Sequence, residues 1–85
     1  MYTLYFSKRA EKDMKYLKAS KLDKKVRELL NTISESPFRV PPPYEMLLGS
    51  LKGYCSRRIS YQHRLVYYVI EDQKAVMVER MWSHY

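Results

Sequence analysis

A carboxylate, several guanidiniums, an imidazole and a phenol are the side chains here whose types and spacing could do chemistry. Glu45 follows a proline run. Arg57 and Arg58 adjoin in one predicted strand, His63 and Arg64 open the next, and His84-Tyr85 closes the chain. Such groups suffice to cleave a phosphodiester in RNA. A base takes the 2′-OH proton, cations stabilise the charge growing on the phosphate oxygens, and an acid protonates the leaving 5′-oxygen. RNA supplies its own nucleophile, so this route requires neither a metal nor a covalent intermediate. The same residue types also occur as solvated strand edges and as a tail, so on their own they leave the function open.

Other chemistries find less support. One cysteine and two separated histidines, His63 and His84, do not supply a zinc site. Two glycines, Gly49 and Gly53, cannot build a glycine-rich phosphate loop. No cofactor is expected. Two-residue alternation places Cys55 on the face of Arg57 and Ile59, where a small packed side chain is expected rather than a nucleophile. The same alternation turns Arg57 away from Arg58, so a regular strand cannot aim both at one site.

The elements that must position these residues are legible from periodicity. Tyr2 to Phe6 is short, β-branched and aromatic, which predicts a strand. Ser7 can cap a helix in which Ala10, Met14 and Leu17 share a face through about Ala19. Ser20 is the predicted cap of a second helix running to about Ser34, with an apolar stripe of Leu22, Val26, Leu29, Leu30 and Ile33. The prolines at 37 and 41–43 end it in extended loop, because proline lacks the amide donor. Strands are predicted over Tyr54 to Ser60, His63 to Ile70 and Ala75 to Trp82. Glu71 to Lys74 forms a hairpin turn. The near-continuous apolar run Leu65 to Ile70 predicts a central strand covered on both faces. The expected fold is α+β in the order β-α-α-β-β-β, one domain over 1–85. A mostly antiparallel sheet packs against an N-terminal helical hairpin.

Length and composition agree with one domain. The chain has 85 residues, with 16 Lys/Arg against 9 Asp/Glu and a net charge of +7. Residues 7–31 alone hold nine Lys/Arg against four Asp/Glu. Lys8, Arg9, Lys12, Lys15, Lys18, Lys21, Lys24 and Lys25 therefore form a basic helical block suited to nucleic-acid phosphates. No stretch approaches the roughly 20 apolar residues of a membrane span. The N-terminus lacks the pattern of a signal peptide, and one cysteine cannot make an internal disulfide, so a cytoplasmic protein is expected.

The run Gly53-Tyr54-Cys55-Ser56-Arg57-Arg58-Ile59, then His63-Arg64-Leu65-Val66-Tyr67, then His84-Tyr85, resembles the YoeB (Txe/YoeB) toxins of the RelE/ParE toxin–antitoxin superfamily. Ser34, Pro37, Phe38 and the Glu45-x-Leu47 segment fit as well, so the resemblance spans essentially the whole chain. It implies a RelE-like fold and an mRNA endoribonuclease that works in the ribosomal A site without metal. It leaves a 2′,3′-cyclic phosphate or 3′-phosphate and a 5′-OH. By position, Glu45 resembles the general base, His84 the general acid, and Arg64 the residue that stabilises the phosphorane. Arg58 resembles a further phosphate contact, and Tyr85 the tyrosine that orients substrate and imidazole. Arg57 stands as a structural residue or an RNA contact. The family commonly has a lysine where this chain has Leu48. Lys52, four residues on, is the nearest replacement if the loop folds back. The resemblance also implies a YefM-like antitoxin, a homodimer, and contact with operator DNA only through the antitoxin complex.

Two rivals remain open at this level. A ParE-like gyrase inhibitor would share the fold but need no acid–base pair. A non-catalytic RNA-binding or repressor module would survive loss of His84.

Overall fold

The computed structural model describes residues 1–83; His84 and Tyr85 lie outside the described residues. Strand β1 (Thr3–Phe6) leads into helices α1 (Lys8–Ala19) and α2 (Asp23–Glu35). Strands β2 (Glu45–Met46), β3 (Cys55–Arg58), β4 (Arg64–Ile70) and β5 (Ala75–Ser83) follow. The sheet order is β1-β5-β4-β3-β2. Only β1 runs parallel to its neighbour, β5; the other pairings are antiparallel. The α+β expectation holds, with one strand more than expected: Glu45–Met46 pairs with Ser56 and Cys55 at the sheet edge. Two residues are too short to give a periodicity signal.

Ser7 begins α1 as expected. Its Oγ accepts from the Ala10 N–H at 3.0 Å and donates to the Glu79 carbonyl at 2.7 Å, tying the helix start to β5. Helix α2 buries Val26, Leu29, Leu30 and Ile33, the expected stripe, with Leu22 half-buried beside them. They meet Cys55, Leu65, Tyr67, Val76 and Val78 from one face of the sheet. Each fully buried aliphatic side chain contributes about 1.5–3 kcal/mol.

The junction between the helices differs from expectation. Ser20 is not the cap of α2; it ends α1, donating its N–H to carbonyls of Tyr16 and Lys18. Lys21 takes a left-handed φ of 60°. The Lys21 and Leu22 amides then bond back to Lys18 and Leu17 at 3.1 and 2.8 Å. This is a Schellman closure, and it displaces the start of α2 to Leu22, which makes no side-chain cap.

Strand β4 is central, and Leu65, Val66 and Tyr67 are buried. Leu65 and Tyr67 join the helix-side core, whereas buried Val66 does not belong to it. The strand's far end, Tyr68 to Ile70, is only half-buried. The β4–β5 register slips twice: Tyr67 pairs with Val78, Val66 with Arg80, and Arg64 with Ser83. Each slip inserts an extra residue into β5, bending the strand that carries the chain towards residue 84.

Candidate active site

Register brings the site together. Glu45 pairs with Ser56 across β2–β3, and Arg58 pairs with Arg64 across β3–β4. Side chains alternate along a strand, so Ser56 and Arg58 share a face, and directly paired residues share it too. Glu45, Ser56, Arg58 and Arg64 accordingly line one cleft of about 410 Å³. Its other walls are Pro42, Pro43 and Tyr44 from the proline loop, Ile59, and Lys25 from α2.

The charge of the cleft is unbalanced, with Lys25, Arg58 and Arg64 against Glu45. Like charges placed directly opposite across strands repel. Arg58 and Arg64 are nonetheless Cα partners. Arg64 is tethered loosely, its Nη1 standing 3.5 Å from the Ser60 carbonyl. Among the described residues Glu45 forms no ion pair, so it is not neutralised by a neighbouring arginine. A phosphate between the guanidiniums would relieve their repulsion, with a carboxylate beside it as proton acceptor.

Arg57 lies behind the cleft, and its expectation as a substrate or RNA contact is corrected. It is 0% exposed. Its Nε donates to the Tyr67 hydroxyl at 2.9 Å, and Nη2 donates to the Pro37 and Arg39 carbonyls, each at 2.9 Å. Nη1 donates to the Pro42 carbonyl, and the guanidinium lies 5.0 Å from the Tyr44 ring centroid. A buried charge is tolerated only when its donors are satisfied. Here four of its five N–H donors are taken up, three by carbonyls of the proline loop and one by Tyr67, so Arg57 pins the segment that leads to Glu45. The Tyr67 hydroxyl in turn donates to the Pro37 carbonyl at 2.7 Å. Burial pushes its pKa up to about 12, against the opposing pull of Arg57.

Lys52 is exposed and caps the 3₁₀ turn Gly49–Leu51, its amide bonded to the Gly49 carbonyl. It is not among the residues that line the cleft, so the loop does not bring it back in place of a lysine at 48. Leu48 is 84% exposed and also outside the lining. Cys55 is 1% exposed, and burial raises its thiol pKa, as befits a packed, unreactive side chain. His63 closes the β3–β4 turn: its carbonyl accepts from Ile59 and Ser60, and its ring stacks on Trp82 at 3.6 Å. His84 and Tyr85, the expected acid and orienting phenol, lie outside the described residues.

Three further residues are not singled out by sequence pattern. Lys25 is, by sequence, only one of a basic block. Ser56 is 5% exposed, its hydroxyl has no partner among the described residues, and it stands beside Glu45. Asp13 is 3% exposed on the buried side of α1. Its Oδ2 accepts from the Met81 and Trp82 amides at 2.9 and 3.2 Å and from Arg80 Nε at 3.0 Å. These amides lie in the bulged stretch of β5, so Asp13 satisfies donors that the irregular ladder releases. The one available signal was an aspartate on the same helical face as Ala10 and Leu17.

A family model for the YoeB-like toxin of bacterial type II toxin–antitoxin systems matches residues 6–85. Toxin YoeB of Streptomyces coelicolor is 40% identical over 60 residues, which are 71% of this chain and 71% of that protein. The YoeB–YefM complex of Staphylococcus aureus contains a chain 34% identical, with a TM-score of 0.82 over 100% of this chain and 99% of that one. The YoeB dimer of the same organism is 34% identical, with a TM-score of 0.83 over 99% and 98%. The chain therefore belongs to the YoeB-like toxins of bacterial type II toxin–antitoxin systems.

Proposed function

We propose that this toxin is a ribosome-dependent mRNA endoribonuclease that cuts in the A site and so arrests translation in the cytoplasm. The observation that supports it best is the cleft itself, where one carboxylate with no ion pair among the described residues stands beside two arginines at directly paired strand positions. Glu45 takes the proton from the 2′-OH, and the freed oxygen attacks the adjacent phosphorus. Arg64 stabilises the phosphorane, and Arg58 holds a phosphate oxygen. His84 returns a proton to the departing 5′-oxygen, and Tyr85 orients substrate and imidazole. The products are a 2′,3′-cyclic phosphate, or the 3′-phosphate from its hydrolysis, and a 5′-OH.

The partners follow from relatives. YoeB of Staphylococcus aureus has been solved with YefM and as a dimer, which supports a YefM-like antitoxin and a homodimer here. Contact with operator DNA then arises through the antitoxin complex.

Toeprinting of a programmed ribosome with an open A site tests the function. Wild-type protein is expected to cut there, and to fail on an mRNA carrying 2′-deoxyribose at the cut, since that sugar lacks the nucleophile. No cut by folded protein overturns the nuclease reading, and a DNA-damage response in its place would favour gyrase inhibition.

A further inference from the structure

The floor of the cleft belongs to the sheet, and its walls come from the proline loop and from α2. Of the nine basic residues that α1, α2 and their junction expose, only Lys25 lines the cleft. Its neighbour Lys24 does not. The nearest carboxylate in sequence, Asp23, is engaged by Arg27 at 2.8 Å, and among the described residues Lys25 makes no ion pair. An ammonium with no ion pair among the described residues therefore faces the same space as Glu45, Arg58 and Arg64, from a different layer of the fold.

The two kinds of cation suit different tasks. A guanidinium fork fixes phosphate geometry, whereas an ammonium on a flexible stem acts as a mobile point charge. Arg58 and Arg64 lie on adjacent strands beside Glu45, so the phosphate that reacts belongs with them. An RNA strand occupying the cleft presents further phosphates on either side. We infer that Lys25 binds a phosphate flanking the scissile one, making α2 a substrate-binding wall of the active site. This rests on the reading of the cleft as an RNA-cleaving site.

The consequence is a split between binding and chemistry. In single-turnover cutting on programmed ribosomes, titrated with toxin, Lys25→Ala should raise the half-saturating concentration about five- to tenfold. The rate at saturation should stay within about twofold of wild type, because Lys25 does not touch the reacting phosphorus. Lys25→Arg should restore most of the binding, and Lys24→Ala, outside the cleft, should cost clearly less than Lys25→Ala, by an amount that the charge of the flanking mRNA phosphates does not change. On an mRNA with uncharged methylphosphonates flanking the cut, the Lys25→Ala penalty should vanish. A Lys25→Ala protein indistinguishable from Lys24→Ala overturns the inference while the nuclease reading stands. So does a penalty that persists undiminished on the neutralised mRNA, which would place Lys25 on ribosomal RNA. If wild-type protein does not cut at all, the nuclease reading falls and this inference falls with it.

Discussion

A single buried guanidinium decides the shape of the site. Arg57 offers its donors to three carbonyls of the proline loop and to Tyr67, and it does so with 0% exposure. Lysine carries the charge but not the fork. Arg57→Lys should therefore destabilise the fold by about 3 kcal/mol, visible as a lowered urea midpoint, because it leaves buried acceptors unpaired. A midpoint unchanged from wild type would refute the pinning role. Tyr67 gives a pH signature. Its folded-state pKa is pushed up to about 12 from an ordinary 10.0. The folded protein thus holds the phenolic proton more tightly than the unfolded chain does. That contribution is fully present below pH 10 and is lost as pH rises towards 12. Tyr67→Phe should lack this loss, so the stability gap between wild type and variant should narrow across that window. A constant gap from about pH 9 to 12 contradicts it.

Sequence reasoning reached some of these residues and missed others for physical reasons. Period-two alternation separated Arg57 from Arg58 correctly, because β3 is regular there. It could not say that Arg57 faces carbonyls rather than solvent, since those acceptors come from residues 37, 39 and 42 and depend on the path of an irregular loop. Lys25 was invisible as a cleft residue for the same reason. Nothing local to α2 marks which of several lysines faces the end of a distant strand.

Among the elements, the helix junction and the bulged strand show where pattern reading gives way. The left-handed closure at Lys21 uses lysine where glycine is usual, so the sequence lacked the customary stop signal and Ser20 took its place as an apparent cap. Lys21→Gly should relieve the left-handed strain and stabilise the protein by about 0.5–1 kcal/mol in thermal unfolding. Destabilisation would show that the Lys21 side chain is needed. The bulges of β5 depend on Asp13, which supplies acceptors to two ladder amides and to Arg80. Replacing Asp13 by Ala should cost about 3 kcal/mol. It should also slow cutting beyond what the reduced stability explains, because the strand leading to His84 loses its anchor. Normal cutting by the folded fraction would confine Asp13 to stability.

At the scale of the whole molecule, charge and topology divide the labour. The basic residues of α1, α2 and their junction are all exposed, while the cleft collects only one of them. On the proposed function, the broad basic surface would grip ribosomal phosphates while the smaller site takes the strand to be cut. Changing Lys8, Lys12, Lys15 and Lys18 together to Gln should weaken ribosome binding. It should also flatten the salt dependence, by roughly 0.7 in the log–log slope for each phosphate no longer neutralised. An unchanged slope would make that surface merely solvated. The α+β class, the helical hairpin and the central β4 were all open to sequence reading because they follow from periodicity. The fifth strand and the shape of the cleft around Glu45, Arg58 and Arg64 were not, because both arise where short, irregular segments meet.

The proposed cleavage chemistry depends above all on Glu45 as the base. It is exposed, edge-strand and free of ion pairs among the described residues, so Glu45→Gln should fold as well as wild type. The most direct measurement is the single-turnover cutting rate of that variant on a programmed ribosome with an open A site, with His84→Gln beside it. The expected result is a loss on the order of 10²-fold or more in each at unchanged thermal stability. A Glu45→Gln protein that cuts at the wild-type rate would contradict it.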